Sequence, residues 1–203
     1  MMPQLSNTQP PGFCLVLSAP SGTGKTTVSK SLLDSDATIV RSVSTTTRPR
    51  RPNEEEGKDY TFTTTEHFNA LIEEGGFLEW AEVHGCLYGT PRLPIEQIIR
   101  KGDIALLVID VHGGQRVKSI FPDAVLVFLV PPSMDSLSNR LRKRRTESEE
   151  TILSRLEDAK VEMKYLTHYT YRVVNEDGKS QKAIDTIRAI ITTERCRISR
   201  WEA

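Results

Sequence analysis

Apolar positions in this chain gather into short continuous runs, the pattern of parallel strands buried on both faces. The clearest runs are residues 13–18 (F-C-L-V-L-S), 104–110 (I-A-L-L-V-I-D) and 124–130 (A-V-L-V-F-L-V), with shorter ones at 39–43 and 171–175. Between them the spacing and the cap residues predict helices over residues 25–33, 65–74, 94–100, 133–145, 146–165 and 180–195. A threonine cap opens the second of these, Ser133 caps the fourth, and T-E-S-E-E gives the fifth a cap and an acidic first turn. Residues 77–83 and the Tyr88-Gly89-Thr90 region read as two strands joined at His84-Gly85, and residues 60–62 are strand-like. The charged stretch 48–59, with Pro49 and Pro52, must be a loop, and His112-Gly113-Gly114 reads as a turn.

These elements predict an α/β fold in which core segments lie at both ends and in the middle of the chain. Residues 1–12 form a disordered lead-in, and the core comprises 13–43, 95–132 and 159–203. Residues 44–94 form an inserted mixed α/β region, and 133–158 a helical segment that can act as a lid. At 203 residues, the chain can bury one sizeable core with small inserted subdomains.

Charge changes the picture by subtraction. The 27 basic residues balance 27 acidic ones, so the net charge offers nothing to nucleic acid or to an anionic membrane. No apolar stretch approaches the roughly 20 residues of a spanning helix, and no secretory signal precedes the first strand. Cys14, Cys86 and Cys196 are far apart and odd in number, which fits a reducing compartment, the cytoplasm by default. Cys14 reads as a small core residue. The sequence does not choose between a monomer and a homo-oligomer.

The chemistry begins where the first strand ends. Ala19-Pro20-Ser21-Gly22-Thr23-Gly24-Lys25-Thr26 matches the phosphate-loop pattern G-x-x-x-x-G-K-[ST] except at its first position. Backbone N–H groups of residues 21–27 (Ser21, Gly22, Thr23, Gly24, Lys25, Thr26, Thr27) and the following helix N-terminus would cradle a diphosphate. Lys25 adds a point charge and Thr26 a hydroxyl for Mg²⁺, so a nucleoside triphosphate is expected here. Asp110 ends a buried strand, where an acid can serve metal-bound water or an acceptor nucleotide, or can cap the next turn.

Two other groups suggest an acceptor and a lid. Arg48 and Arg51, in a loop with no core to pack, could clamp one phosphate group together with Tyr60 and Tyr88. Glu79 sits among apolar neighbours in F-L-E-W-A and could point into a pocket. A carboxylate accepts paired hydrogen bonds from guanine N1–H and its exocyclic amine, a donor pair adenine lacks. Ser44 and Thr90 could serve the O6/N7 edge, although Glu79 could equally pair with an arginine. The run Arg140, Arg142, Lys143, Arg144, Arg145 and Arg155 suits a lid over triphosphate, because arginine forks stabilise the oxygens of a transferring phosphoryl group. The alternative is a solvated helix laced by ion pairs to Glu147, Glu149 and Glu150.

Together these motifs closely resemble the guanylate kinase family over about residues 13–188. The resemblance rests on A-P-S-G-T-G-K-T, V-S-T-T-T-R-P-R-R-P-N-E-E-E-G-K-D-Y, F-L-E-W-A-E-V-H-G-C-L-Y-G-T, V-I-D-V-H-G-G, P-P-S-M-D-S-L-S-N-R-L-R-K-R and I-L-S-R-L, in one order. It implies a P-loop kinase fold with a parallel-sheet core, a GMP-binding insert and a lid. It implies transfer from ATP-Mg²⁺ to GMP, and to dGMP, in the cytosol. Arg48, Arg51, Tyr60 and Tyr88 would hold the GMP phosphate, and Ser44, Glu79 and Thr90 would read guanine. Lys25, Arg140, Arg144 and Arg155 would reach the transferring phosphoryl group, and no general base is needed because the attacking oxygen is already anionic.

The departures from the family pattern are Ala19 for the first loop glycine, Val108 for an acid two residues before Asp110, Thr90 for serine, and a shifted proline in Arg50-Arg51-Pro52. With Val108 in place, Mg²⁺ coordination would rest on Asp110 and Thr26. Rival readings are a non-catalytic, protein-binding relative and a P-loop kinase for another phosphorylated acceptor. The first generally loses the loop or lid cations that are intact here, and the second has no need of Glu79 beside a phosphate clamp.

Overall fold

A computed structural model describes residues 11–83, 85–143 and 148–201. His84, Arg144, Arg145, Thr146, Glu147 and the first ten residues of the expected lead-in therefore lie outside the described residues. Two sheets organise the chain. The larger holds β1 (Phe13–Ser18), β2 (Ile39–Arg41), β7 (Ile104–Val108), β8 (Val125–Val130) and β9 (Tyr171–Val174), in the order β2-β7-β1-β8-β9 with every pairing parallel. The smaller holds β3 (Thr45–Thr46), β4 (Thr61–Phe62), β5 (Phe77–Val83) and β6 (Cys86–Pro91), in the order β4-β3-β6-β5.

The continuous apolar runs are explained by helices on both faces of the parallel sheet. On one face, Phe13, Leu15 and Leu17 join Ile104, Leu106, Val125 and Val127 under α1 (Lys25–Ser35) and α7 (Ser180–Arg195). On the other, Cys14 and Val16 join Ala105, Leu107 and Leu126 under α3 (Arg92–Arg100) and α4 (Val111–Ile120). Alternate residues of one strand thus feed two separate cores. Cys14 is buried in the second of them.

Two departures from the family pattern find their physical reason in this packing. Ala19 is buried in the first cluster, so its methyl group fills core space at the mouth of the loop. Val108 packs against that same cluster.

The insert packs around Phe68 of α2 (Thr65–Glu73), whose ring stacks on Phe77 with centroids 4.4 Å apart. Thr64 caps α2, accepting from the His67 N–H at 3.2 Å. A separate cluster of Leu137, Leu141, Ile152 and Ala159 joins α5 (Met134–Lys143) to α6 (Glu149–Met163). Ser133 and Ser148 accept from Ser136 N–H and Thr151 N–H at the starts of these helices.

Two elements differ from the sequence reading. Thr45–Thr46 pairs with both β4 and β6, so part of the polar run after β2 is an inner strand of the insert sheet. Its strands are too short and polar to stand out by pattern alone. The expected turn at His112-Gly113-Gly114 is instead the first turn of α4. Gly114 is there for close approach. A Cβ on Gly114 would lie 2.6 Å from the Tyr169 hydroxyl, and one on Gly113 would meet Ile109 at 3.2 Å and the Glu79 carboxylate at 3.4 Å.

Candidate active site

The phosphate loop leaves the carboxyl end of the central strand β1, where open parallel sheets bind their ligands. Gly22 and Gly24 take φ values of 84° and 99°, a region that side chains with a Cβ rarely occupy. The loop is fixed from outside. Asn175, buried at the end of β9, donates from Nδ2 to the Thr23 carbonyl at 2.7 Å, and a Cβ on Gly24 would lie 2.5 Å from that same nitrogen. Leu137 and Leu141 of α5 press on Gly22, where a Cβ would lie 2.8 Å from the Leu141 side chain.

Lys25 opens α1 and its Nζ donates to the Ile109 carbonyl at 3.5 Å, tying the loop to the end of β7. Burial lowers its pKa, while Glu162 and then Asp110 oppose that shift. Thr26 and Thr27 are exposed in the first turn of α1. Ser21 is exposed at the loop's edge, and its hydroxyl lies 3.5 Å from Arg155 Nη1.

Asp110 caps α4, its Oδ1 accepting from the Gly113 N–H at 2.8 Å, and it remains exposed. The capping alternative therefore describes one of its oxygens. An exposed carboxylate and the Thr26 hydroxyl form an all-oxygen donor set, which suits Mg²⁺ completed by phosphate and water oxygens. Among the described residues, no cluster of three His, Cys, Asp or Glu side chains forms a protein-only metal cage.

In the insert, the antiparallel pair β5–β6 sets Glu79 opposite Thr90. Thr90 is buried and its hydroxyl donates to Glu79 Oε1 at 2.5 Å. Burial pushes the Glu79 carboxyl up; the Thr90 hydrogen bond opposes this, and Asp110 reinforces it. The other oxygen, Oε2, faces Gly113 at the start of α4. Arg116 of α4 donates to the Trp80 carbonyl, so the insert and the core meet along this edge. Arg116 also acts on Glu79 through its charge, although among the described residues no arginine stands within ion-pair distance of the carboxylate.

Arg48, Tyr60 and Tyr88 are brought together. The Arg48 guanidinium lies 5.5 Å from the Tyr60 ring centroid, and the Tyr60 and Tyr88 rings meet edge to face at 6.0 Å. Arg48 Nη2 pairs with Glu54 Oε1 at 2.7 Å, and the other Glu54 oxygen accepts the Arg51 backbone N–H at 2.9 Å. Arg51 is exposed beside them. Ser44 is half-buried just before β3, its carbonyl accepting from the Thr61 N–H.

Of the cations expected in a lid, Arg140 reaches the phosphate loop. Its guanidinium donates to Asp177 Oδ1 at 2.6 Å, the Thr23 carbonyl at 3.0 Å and the Asn175 carbonyl at 2.6 Å. A cleft of about 250 Å³ opens there, lined by Gly22, Gly24, Thr27, Arg140, Asn175 and Asp177. Arg142 pairs with Glu149, one of the ion pairs of the solvated-helix reading, whereas Arg155 faces the loop. Arg144 lies outside the described residues.

Sequence reasoning missed Asn175, Glu54, Gly113 and Glu162. Asn175 had a signal, an amide side chain at the carboxyl end of an apolar strand. Glu54 and Glu162 stood in charged stretches that offered none.

The guanylate kinase family model matches residues 13–194. A guanylate kinase of Caldanaerobacter subterraneus subsp. tengcongensis is 43% identical over 189 residues, 93% of this chain and 91% of the relative. One of Myxococcus xanthus is 45% identical over 192 residues, covering 94% and 91%. The crystal structure of guanylate kinase from Anaplasma phagocytophilum superposes with a TM-score of 0.75 at 36% identity, covering 94% of this chain and 90% of that one. With its phosphate loop, its insert and a fold shared with a solved member, this chain belongs to the guanylate kinase family and is an enzyme, a nucleoside monophosphate kinase.

Proposed function

We propose that the chain transfers the terminal phosphoryl group of ATP to GMP, and likewise to dGMP, giving ADP and GDP or dGDP. The observation that carries this reading is the Glu79–Thr90 pair, a half-buried carboxylate with one oxygen oriented by a hydroxyl and the other facing the start of α4. Ionised, it accepts both guanine N–H donors; against adenine it would stay desolvated and unpaired. Ser44 completes the guanine edge with Thr90. Arg48, Arg51, Tyr60 and Tyr88 hold the acceptor phosphate, which takes over from Glu54 the pairing with Arg48.

On the donor side, the backbone N–H groups of residues 21–27 and the start of α1 hold the diphosphate, with Lys25 at the reacting phosphoryl group. The donor's base and sugar fit the cleft beside Arg140 and Asn175. Thr26 and Asp110 would hold Mg²⁺, which neutralises charge on the triphosphate when bound. The acceptor oxygen is an anion near neutrality and attacks in line, so the residues supply position and charge rather than a proton acceptor. Arg140, Arg144 and Arg155 come to the transferring oxygens from the lid, Arg140 from its place against the Thr23 carbonyl of the loop. The three free cysteines fit a reducing compartment, and we assign the enzyme to the cytoplasm.

The decisive experiment is a coupled assay with ATP-Mg²⁺ against GMP, dGMP, AMP, UMP and CMP. Turnover of the guanine nucleotides by a wide margin is expected. Absence of GMP turnover, or equal use of AMP, would reject the reading.

A further inference from the structure

One carbonyl of the phosphate loop receives two donors. Asn175 Nδ2 reaches the Thr23 oxygen at 2.7 Å and Arg140 Nη1 reaches it at 3.0 Å, which fills both of its lone pairs. Both donors are themselves anchored. Asn175 is buried, and its backbone N–H bonds to the Val130 carbonyl at 2.9 Å, continuing the parallel β8–β9 pairing. Arg140 is held by the Asn175 carbonyl at 2.6 Å and by Asp177, whose other oxygen accepts from the Ser136 hydroxyl at 2.7 Å. The adjoining backbone groups are committed as well. The Thr23 N–H donates to the Pro20 carbonyl at 3.1 Å, and the Gly24 carbonyl accepts from the Val28 N–H at 3.1 Å as α1 begins.

A trans peptide is planar, so its carbonyl and the following N–H point in opposite directions. With the Thr23 carbonyl turned towards Asn175 and Arg140, the Gly24 N–H is turned the other way. Local sterics do not enforce this. Gly24 holds a φ of 99°, and glycine is about as comfortable at negative φ, so the Thr23–Gly24 peptide could turn over and present its carbonyl instead. No larger side chain can take over the task, since a Cβ on Gly24 would lie 2.5 Å from Asn175 Nδ2. We propose that Asn175 is a positioning residue of the donor site: by holding the Thr23 carbonyl it sets the plane of the Thr23–Gly24 peptide and so aims the Gly24 N–H at the bound phosphate. The proposal rests on the reading of the Lys25 loop as the donor site. An N–H aimed in advance costs the ligand no reorganisation, whereas a carbonyl in its place would repel an anion. Arg140 makes the second bond from α5, so the seating of that helix and the plane of the peptide are set together.

The test is calorimetric titration with inorganic pyrophosphate and with ADP, both without metal, on the full-length wild type, N175A and K25M. Pyrophosphate has no base or sugar, so it reads the loop alone. N175A should bind both probes more weakly, each by about tenfold, the scale of one lost hydrogen bond to an anion. The KM for ATP should rise with it, and the KM for GMP should hold. Wild-type affinity for pyrophosphate in N175A would overturn the proposal: with ADP weakened, Asn175 is a contact of the nucleoside, and with only the melting temperature lowered, a structural residue. Should N175A not fold, the wild type still decides. Its Gly24 amide proton should move downfield in NMR spectra as pyrophosphate is added, and a signal that stays in place would refute the inference. Pyrophosphate binding that survives K25M would instead refute the donor-site reading, so the two failures are distinguishable.

Discussion

Thr90 donates its hydroxyl hydrogen to Glu79 across the β5–β6 pair, at 2.5 Å and out of contact with water on the Thr90 side. That bond fixes one carboxylate oxygen and orients the other towards Gly113. The replacement of serine by threonine keeps the donor and adds a methyl group that the buried position accommodates.

Glu79→Gln should lower kcat/KM for GMP by about 10²-fold or more, because an amide presents a donor where guanine also donates. Use of ATP should be little changed. Steady-state kinetics with GMP and AMP check this, and unchanged discrimination between the two would remove Glu79 from base recognition.

The same carboxylate predicts a pH dependence. Burial raises its pKa, with Asp110 reinforcing and Thr90 and Arg116 opposing. A raised folded-state pKa means that the native protein binds this proton more tightly than the unfolded chain. This group's contribution to stability is therefore full below the ordinary Glu range and lost as pH rises towards the folded value. Recognition of guanine runs the other way, since only the ionised form accepts both N–H groups. The KM for GMP should rise as pH falls through the raised pKa, and this limb should vanish in Glu79→Gln. Melting temperatures and KM profiles measured together test both signs.

Asp110 separates capping from chemistry. Asp110→Asn retains an N-cap side chain for Gly113, so the melting temperature should hold, whereas Asp110→Ala should cost about 1 kcal/mol of stability. Both should raise the Mg²⁺ concentration needed for half-maximal rate. Equal Mg²⁺ dependence in wild type and Asp110→Asn would leave this residue a cap alone.

Lys25→Met should lower kcat by roughly 10²- to 10³-fold, the scale for removing one charge-stabilising donor at a reacting centre. Arg48→Lys should act on the other substrate, raising the KM for GMP by about tenfold or more, because ammonium lacks the planar fork that spans Glu54 and the aromatic rings. Varying each substrate in turn distinguishes the two effects.

Gly114→Ala should destabilise by about 1–3 kcal/mol through overpacking against the Tyr169 hydroxyl. The Tyr169 ring cannot retreat easily, for it packs edge to face on Phe128 with centroids 4.8 Å apart. Removing the hydroxyl as well, in Gly114→Ala with Tyr169→Phe, should recover part of the loss. Denaturant melts of the two single variants and the double variant measure that coupling.

The sequence by itself determined what depends on neighbours along the chain. Residues 13–18 had to be a buried strand, Gly22 and Gly24 allowed the turn into α1, and Thr64 or Ser148 could cap a helix wherever the tertiary fold placed it. The candidate chemistry of Lys25, Arg48 and Glu79 was legible for the same reason, since residue type and local spacing carry it. Tertiary structure decided the rest. His112-Gly113-Gly114 reads as a turn until the first turn of α4 is seen to pack so close to Tyr169 that Gly114 leaves no room for a Cβ. That Arg140 reaches the phosphate loop at the Thr23 carbonyl, with Asp177 and Asn175 beside it, is likewise set only by the fold. Strands and caps arise from interactions a few residues long, whereas a site is made by side chains that meet only after distant segments have buried their apolar faces together.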